Sequence, residues 1–209
     1  MYVKEMPFKE KLEGILSMKK LLEDFTTPLV LQELGKEELI ELQSIWHKET
    51  IATPSDSSDE LKYEVAYKNF LQQWITANNF MIKYGGDVGM AKFVNEAIAG
   101  WKRKYSGSGR QLKILWALSP KSAFKRLSST LAYKLQMFSP FTVSELNENH
   151  MIITVPTCKM LQNRDTNDFC LNACQNIIPA WIESEFNVKM DHNRKGQGCV
   201  VTFTPFNSK

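Results

Sequence analysis

Apolar residues in this chain change their spacing once, near residue 140, and that change limits the fold more than any other feature. Before it they recur three and four apart, which is the period of an amphipathic helix. Leu39, Leu42, Ile45 and Trp46 form one such stripe, Val65, Phe70, Leu71, Trp74, Ile75 and Met81 a broader one, and Met90, Phe93, Val94, Ile98 and Trp101 a third. After it the period falls to two, as in a half-buried strand. Phe141, Val143 and Leu146 alternate, then Met151, Ile153 and Val155, and finally Cys199, Val201 and Phe203. The expected fold class is therefore α+β: N-terminal helices packed on a small antiparallel sheet, with a C-terminal ββαββ unit.

Glycine, proline and capping residues divide the helical part. A first helix is expected over about residues 6–25, with Pro28 starting the next piece. ATPSDSSDE, residues 52–60, has too little apolar content to pack and reads as a loop. Gly85-Gly86 permits a left-handed backbone and ends the long helix, and Asp87 caps its successor. KRKYSGSGR, residues 102–110, is basic and glycine-containing. It is the best boundary between a helical region, 1–105, and an α/β ligand-binding-like region, 106–209, although the two can form one compact unit. Two short helices follow, about 111–118 and 120–136, the second opened by Pro120. ELNENH, residues 145–150, joins two hairpin strands. A helix is expected over 167–185. Pro179 within it predicts a kink or a later start. NRKGQG, residues 193–198, turns the last hairpin.

Composition excludes some functions. A formal charge of +3 is too small to argue for nucleic acid. No apolar run reaches the ~18 residues of a membrane helix, so no membrane partner is expected. The opening MYVKEMPFKEK has no apolar h-region, so a cytoplasmic location is expected, where disulfides are disfavoured. No Gly-rich phosphate loop, G-x-S-x-G or H-E-x-x-H is present.

The chemistry-bearing residues crowd toward the C-terminus. The four cysteines are Cys158, Cys170, Cys174 and Cys199, and Asp191 and His192 lie between the last two. In a ββαββ unit the strand ends, the helix start and the final turn can meet at one sheet edge. Thiolate and imidazole donors around one point suit zinc. Cys170 at a helix start would have a lowered pKa, which favours ligation or nucleophilic chemistry, with His192 as the base in the latter case. The plain alternative is that the cysteines are small core residues. All three readings stay open on the sequence.

Weaker candidates are His47 beside Trp46, His150 in the hairpin turn, the basic WKRKY at 101–105, and Arg164 as a bidentate partner of a carboxylate. An aromatic-rich face carrying Phe124, Leu131, Tyr133, Phe138 and Phe141 either lines an apolar ligand pocket or fills a core. The helices 37–48 and 61–83 would serve an interaction module if they left a large apolar patch exposed.

The segments TVSELNENHMIITVPTCKM, NDFCLNACQNIIPAWIESEF, NVKMD and GCVVTF resemble the vinyl-reductase-type (4VR) small-ligand-binding domains and a related group of uncharacterised prokaryotic proteins. Upstream, LGKEELIELQSIW and MIKYGGDVGMAKFVNEAIAGWKRKY resemble the helical lead-in of that group. The resemblance implies a non-enzymatic small-molecule-binding or sensor-like protein, a small apolar or tetrapyrrole-like ligand, and a structural zinc. Cys170 or Cys174 with Cys199 match family cysteines, Asp191 or His192 takes the place of the family's carboxylate, and Cys158 matches the uncharacterised group. Met190 stands where that group carries a further cysteine. A neighbouring activity, aminothiazoline-carboxylate hydrolysis, implies as the alternative a thiol-dependent hydrolase of a small heterocycle or amide. A homodimer is an open assembly.

Overall fold

The computed structural model describes residues 4–105, 109–161 and 170–206. It is an α+β chain, with helices followed by a four-stranded antiparallel sheet. The chain divides into two compact units, one of Pro7–Trp101 and one of Lys102–Lys209 joined by the first residues up to Met6. No helix among the described residues is long and apolar enough to cross a membrane.

The N-terminal unit holds α1 (Phe8–Glu33), α2 (Lys36–Glu49) and most of α3 (Asp59–Tyr105). α1 runs straight past the break expected at Pro28. That expectation is corrected by packing. Pro28 removes a backbone donor and crowds the preceding turn, but Leu29 and Val30, just beyond it, are buried with Leu22 and Phe25 on the same stripe. α3 does change direction where the sequence expects it, because Gly86 sits at φ 57°, ψ −154°. The bend lets Phe93 return edge-on to Trp74 of the same helix and to Phe25 of α1. α2 is fixed to α3 through Trp46, whose indole N–H donates to the Gln73 carbonyl at 3.2 Å. The segment after α2 is held by Asn69, which accepts from the Ile51 N–H and donates to the Ile51 carbonyl, both at 2.9 Å.

The C-terminal unit holds α4 (Gly109–Leu118), α5 (Pro120–Leu135), β1 (Thr142–Leu146), β2 (Met151–Val155), a π-helix (Cys170–Ile177), α6 (Ile178–Phe186), β3 (Val188–Lys195) and β4 (Gly198–Pro205). The Gln136 side-chain amide brackets the N-terminal residues, accepting from Met6 N–H at 3.0 Å and donating to the Lys4 carbonyl at 2.9 Å. The sheet order is β1-β2-β4-β3. A β-bulge between Val143 and Glu145 explains why the apolar spacing in β1 slips from two to three before Leu146. In the β1–β2 turn, Asn147 Oδ1 accepts from the N–H groups of Asn149 and His150 at 2.8 and 3.0 Å. Asn187, at φ 54°, ends α6 and turns the chain into β3.

Candidate thiol and imidazole site

The site is built by strand register. β3 and β4 pair Arg194 with Cys199, His192 with Val201 and Met190 with Phe203, and β2 and β4 pair Val155 with Cys199. Side chains alternate faces along a strand, so these β3 and β4 residues share one face. It is the buried face, since Cys199, Val201 and Phe203 are all sequestered, as are Val188 and Met190. Asp191 pairs with Thr202 and so projects from the opposite face. There it is exposed and forms an ion pair with Lys189 at 2.8 Å. The structure thus separates two adjacent residues that the sequence left as equivalent candidates.

Cys158 comes to the same edge because β2 and β4 are neighbours. Its N–H donates to the Gln197 carbonyl at 2.7 Å, tying the chain after β2 to the β3–β4 turn. Ser139 holds this corner, accepting from the Lys159 N–H at 2.8 Å and placing its hydroxyl 3.8 Å from Cys158 Sγ. Cys170 and Cys174 lie on the π-helix, a rare element that recurs at functional sites. Pro179 falls in the first turn of α6 immediately after it. A proline cannot donate to the helical ladder behind it and its ring crowds that turn, so the chain widens before Pro179 and tightens after it. The kink or delayed start expected from Pro179 takes this form. The expected helix residues 167–169, and Arg164, lie outside the described residues.

All four thiols are free, and they lie within electrostatic reach of one another. Burial pushes the Cys174 thiol well up, helped by Cys170, Cys158 and Cys199. Burial likewise pushes Cys199 up to about 11, with smaller contributions from Cys158 and Cys170. Cys170 also moves up, through burial and Cys158, while the Arg194 guanidinium pulls the other way. The lowered pKa expected for Cys170 from its place at a helix start is therefore corrected: loss of water, with the neighbouring Cys158, outweighs the arginine. His192 moves down, through burial and then Arg194, so its imidazole is neutral near pH 7. Both its ring nitrogens are buried with no hydrogen-bond partner among the described residues.

These shifts have a measurable consequence. Between the ordinary thiol range near 9 and about 11, the unfolded chain releases the Cys199 proton while the folded chain keeps it. Stability from this group is complete below the lower value and is lost as pH rises through the window. Urea midpoints measured across that window should fall more steeply for the native chain than for Cys199→Ala. Equal slopes would remove the thiol as their source.

Among the described residues, no three Cys, His, Asp or Glu side chains stand close enough to share a metal ion. The donors gather at one edge without being drawn into a coordination sphere. Of the other candidates, His47 is exposed on α2, and His150 stands 2.8 Å from Glu145 in the hairpin turn. Phe124 and Leu131 are sealed in the core, while Phe138 and Phe141 are half-buried. Tyr133 borders an open groove together with Ser122, Lys125, Arg126, Ser129 and Thr130. Sequence reasoning missed Arg194 and Ser139. Arg194 was findable, because a two-residue turn at Gly196-Gln197 sets it directly opposite Cys199. Ser139 carries no sequence signal.

The fold and these side chains define a class: an α+β chain with a thiol- and imidazole-bearing sheet edge. No protein-family model matches the chain, and no curated protein matches it.

Proposed function

We propose that this is a non-enzymatic, sensor-like binding protein of the cytoplasm whose C-terminal sheet edge takes up a thiophilic metal ion, zinc foremost. The observation that carries the reading is the gathering of four free thiols within each other's field at one edge. Crowded, buried thiols resist ionisation because each new thiolate meets its neighbours in a poorly solvated place. A divalent cation removes that conflict, replacing several protons at once with one compensating charge. Cys158, Cys170, Cys174 and Cys199 supply donors of the type zinc prefers. Both His192 ring nitrogens are buried without a hydrogen-bond partner among the described residues. Uptake must draw the side chains inward, since among the described residues none are preassembled around a point. When bound, the ion would crosslink the π-helix, the β2 exit and β4.

The apolar or tetrapyrrole-like ligand has less support, because Phe124 and Leu131 pack into the core. The hydrolase reading also has less. It needs a Cys170 thiolate beside a base, whereas the Cys170 pKa is raised and neither His192 nitrogen has a hydrogen-bond partner among the described residues.

The test is zinc uptake by reduced, metal-free protein in competition with a chromophoric chelator. One equivalent should bind, and the cysteines should become protected from a thiol reagent in step with uptake. Failure to bind zinc, with all four thiols titrating at full rate in its presence, would sink the reading.

A further inference from the structure

We propose that the outer faces of α4 and α5 form a docking surface for an anionic lipid bilayer. The inference goes beyond the metal-binding reading and does not depend on it.

Charge segregation is the first observation. Between Glu96 and Glu145 the chain carries nine lysines and arginines and no acidic residue. All 23 acidic residues lie outside this stretch, so the formal +3 conceals a strongly basic segment in a net acidic remainder. Both helices belong to the C-terminal unit. α5 buries Phe124, Leu127 and Leu131 on one face, while Lys121, Lys125 and Arg126 are exposed. Lys125 and Arg126 have no ion-pair partner among the described residues. Lys121 meets Glu148 of the β1–β2 turn at 2.7 Å, an exposed pair of little strength that a phosphate can displace. Lys121 and Lys125 stand one turn apart, a like-charge spacing that costs helix stability until an anion answers it.

Apolar exposure is the second observation. Ile114, Ala117 and Leu118 recur at three- and four-residue spacing on α4, and all three are exposed, Ile114 by 60% and Leu118 by 79%. Large aliphatic side chains one turn apart form a ridge that gains free energy when covered. Ser119 alone separates this helix from α5, so the ridge runs directly into the basic face.

The two features together select the occupant. At a bilayer interface, headgroup phosphates meet the cations and the acyl boundary takes up the aliphatic side chains, and no spanning helix is needed. A nucleic acid would answer the cations but not Ile114 and Leu118. It would also need aromatic platforms for its bases. Among the described residues lining the groove along α5 the one ring is Tyr133, and the Lys134 ammonium already lies over it at 5.9 Å from the centroid.

The experiment is co-sedimentation of the full chain with vesicles of phosphatidylcholine alone and of phosphatidylcholine with one part in four phosphatidylglycerol. The chain should sediment with the anionic vesicles only, and less as salt is raised. A cation near an anionic surface is worth about fivefold in affinity, so the triple variant Lys121→Gln, Lys125→Gln, Arg126→Gln should bind roughly 100-fold more weakly. Leu118→Gln should cost about tenfold through lost apolar burial. The matched control is Lys36→Gln, Lys48→Gln, Lys68→Gln, which removes three exposed lysines of the N-terminal unit and should bind as the wild type does. Far-ultraviolet circular dichroism and urea midpoints should be unchanged in every variant, since all these side chains are exposed. No sedimentation with anionic vesicles, equal sedimentation with both kinds, or equal losses in the two triple variants overturns the proposal. So does a Leu118→Gln chain that binds like the wild type, or a single-stranded oligonucleotide bound more tightly than the anionic vesicles.

Discussion

Gly198→Ala should destabilise the C-terminal unit by ~3 kcal/mol or more and abolish the proposed zinc uptake with it. Gly198 is the first residue of β4 and is buried where β2 leaves the sheet. A methyl group there would overlap the Val155 carbonyl oxygen and would lie 2.5 Å from the Pro156 carbonyl oxygen and 2.8 Å from its carbon. All three atoms are backbone, so no rotamer change relieves the overlap. The strands themselves must part, and they part where Val155 pairs with Cys199 and where Cys158 N–H reaches Gln197. Two of the four thiols, Cys158 and Cys199, sit at that corner. Gly196→Ala is the control: Gly196 lies two residues away at φ 59° with open space around it. Its penalty is the left-handed backbone alone, about 1–2 kcal/mol, and zinc uptake should survive. Chemical denaturation together with the chelator competition reads both. A Gly198→Ala chain as stable as the wild type would mean that β2 and β4 do not close as described.

Phe93→Ala should cost about 3–5 kcal/mol, the range for emptying a phenylalanine site in a packed core. Phe93 is fully buried. Its ring meets Phe25 edge-on at 5.2 Å between centroids and Trp74 at 5.6 Å. It thus ties α1 to both arms of α3, and the bend at Gly86 exists in a form that lets the second arm reach it. Removing the ring leaves a cavity bounded by two aromatic residues on different helices, which cannot collapse without moving one of them. The urea midpoint should drop accordingly, and the near-ultraviolet circular dichroism of Trp74 should weaken. Val88→Ala on the same helix, 68% exposed, should change stability by less than about 0.5 kcal/mol. Similar effects for the two variants would mean that the Phe25–Trp74–Phe93 cluster is not a core.

Much of the architecture was legible because local rules and packing agree there. Leu42 and Trp46 are buried on α2, and Met151, Ile153, Val201 and Phe203 are buried in the sheet, as their periods require. Where local rule and packing conflicted, packing prevailed. Pro28 disfavours a helix at its own position, yet burial of Leu29 and Val30 holds α1 together through it. At Pro179 the two reached a compromise, a π-helix in front of an α-helix, whose form no local rule specifies.

The site divides along the same line. The sequence by itself determined the donor inventory, four thiols and one imidazole between Cys158 and Cys199, and the strand and helix types that carry them. It could not say which donors meet. Adjacency of β2 and β4, and not of β2 and β3, brings Cys158 to Cys199. The pairing of Arg194 with Cys199 sends His192 to the thiol face and Asp191 to the other, a choice of strand register. Helix position alone argued for a lowered Cys170 pKa, and burial with the neighbouring Cys158 moved it up instead. Period and residue type are properties of neighbours along the chain, whereas solvent exclusion and cross-strand register arise from segments far apart in it, so only the tertiary structure could decide them.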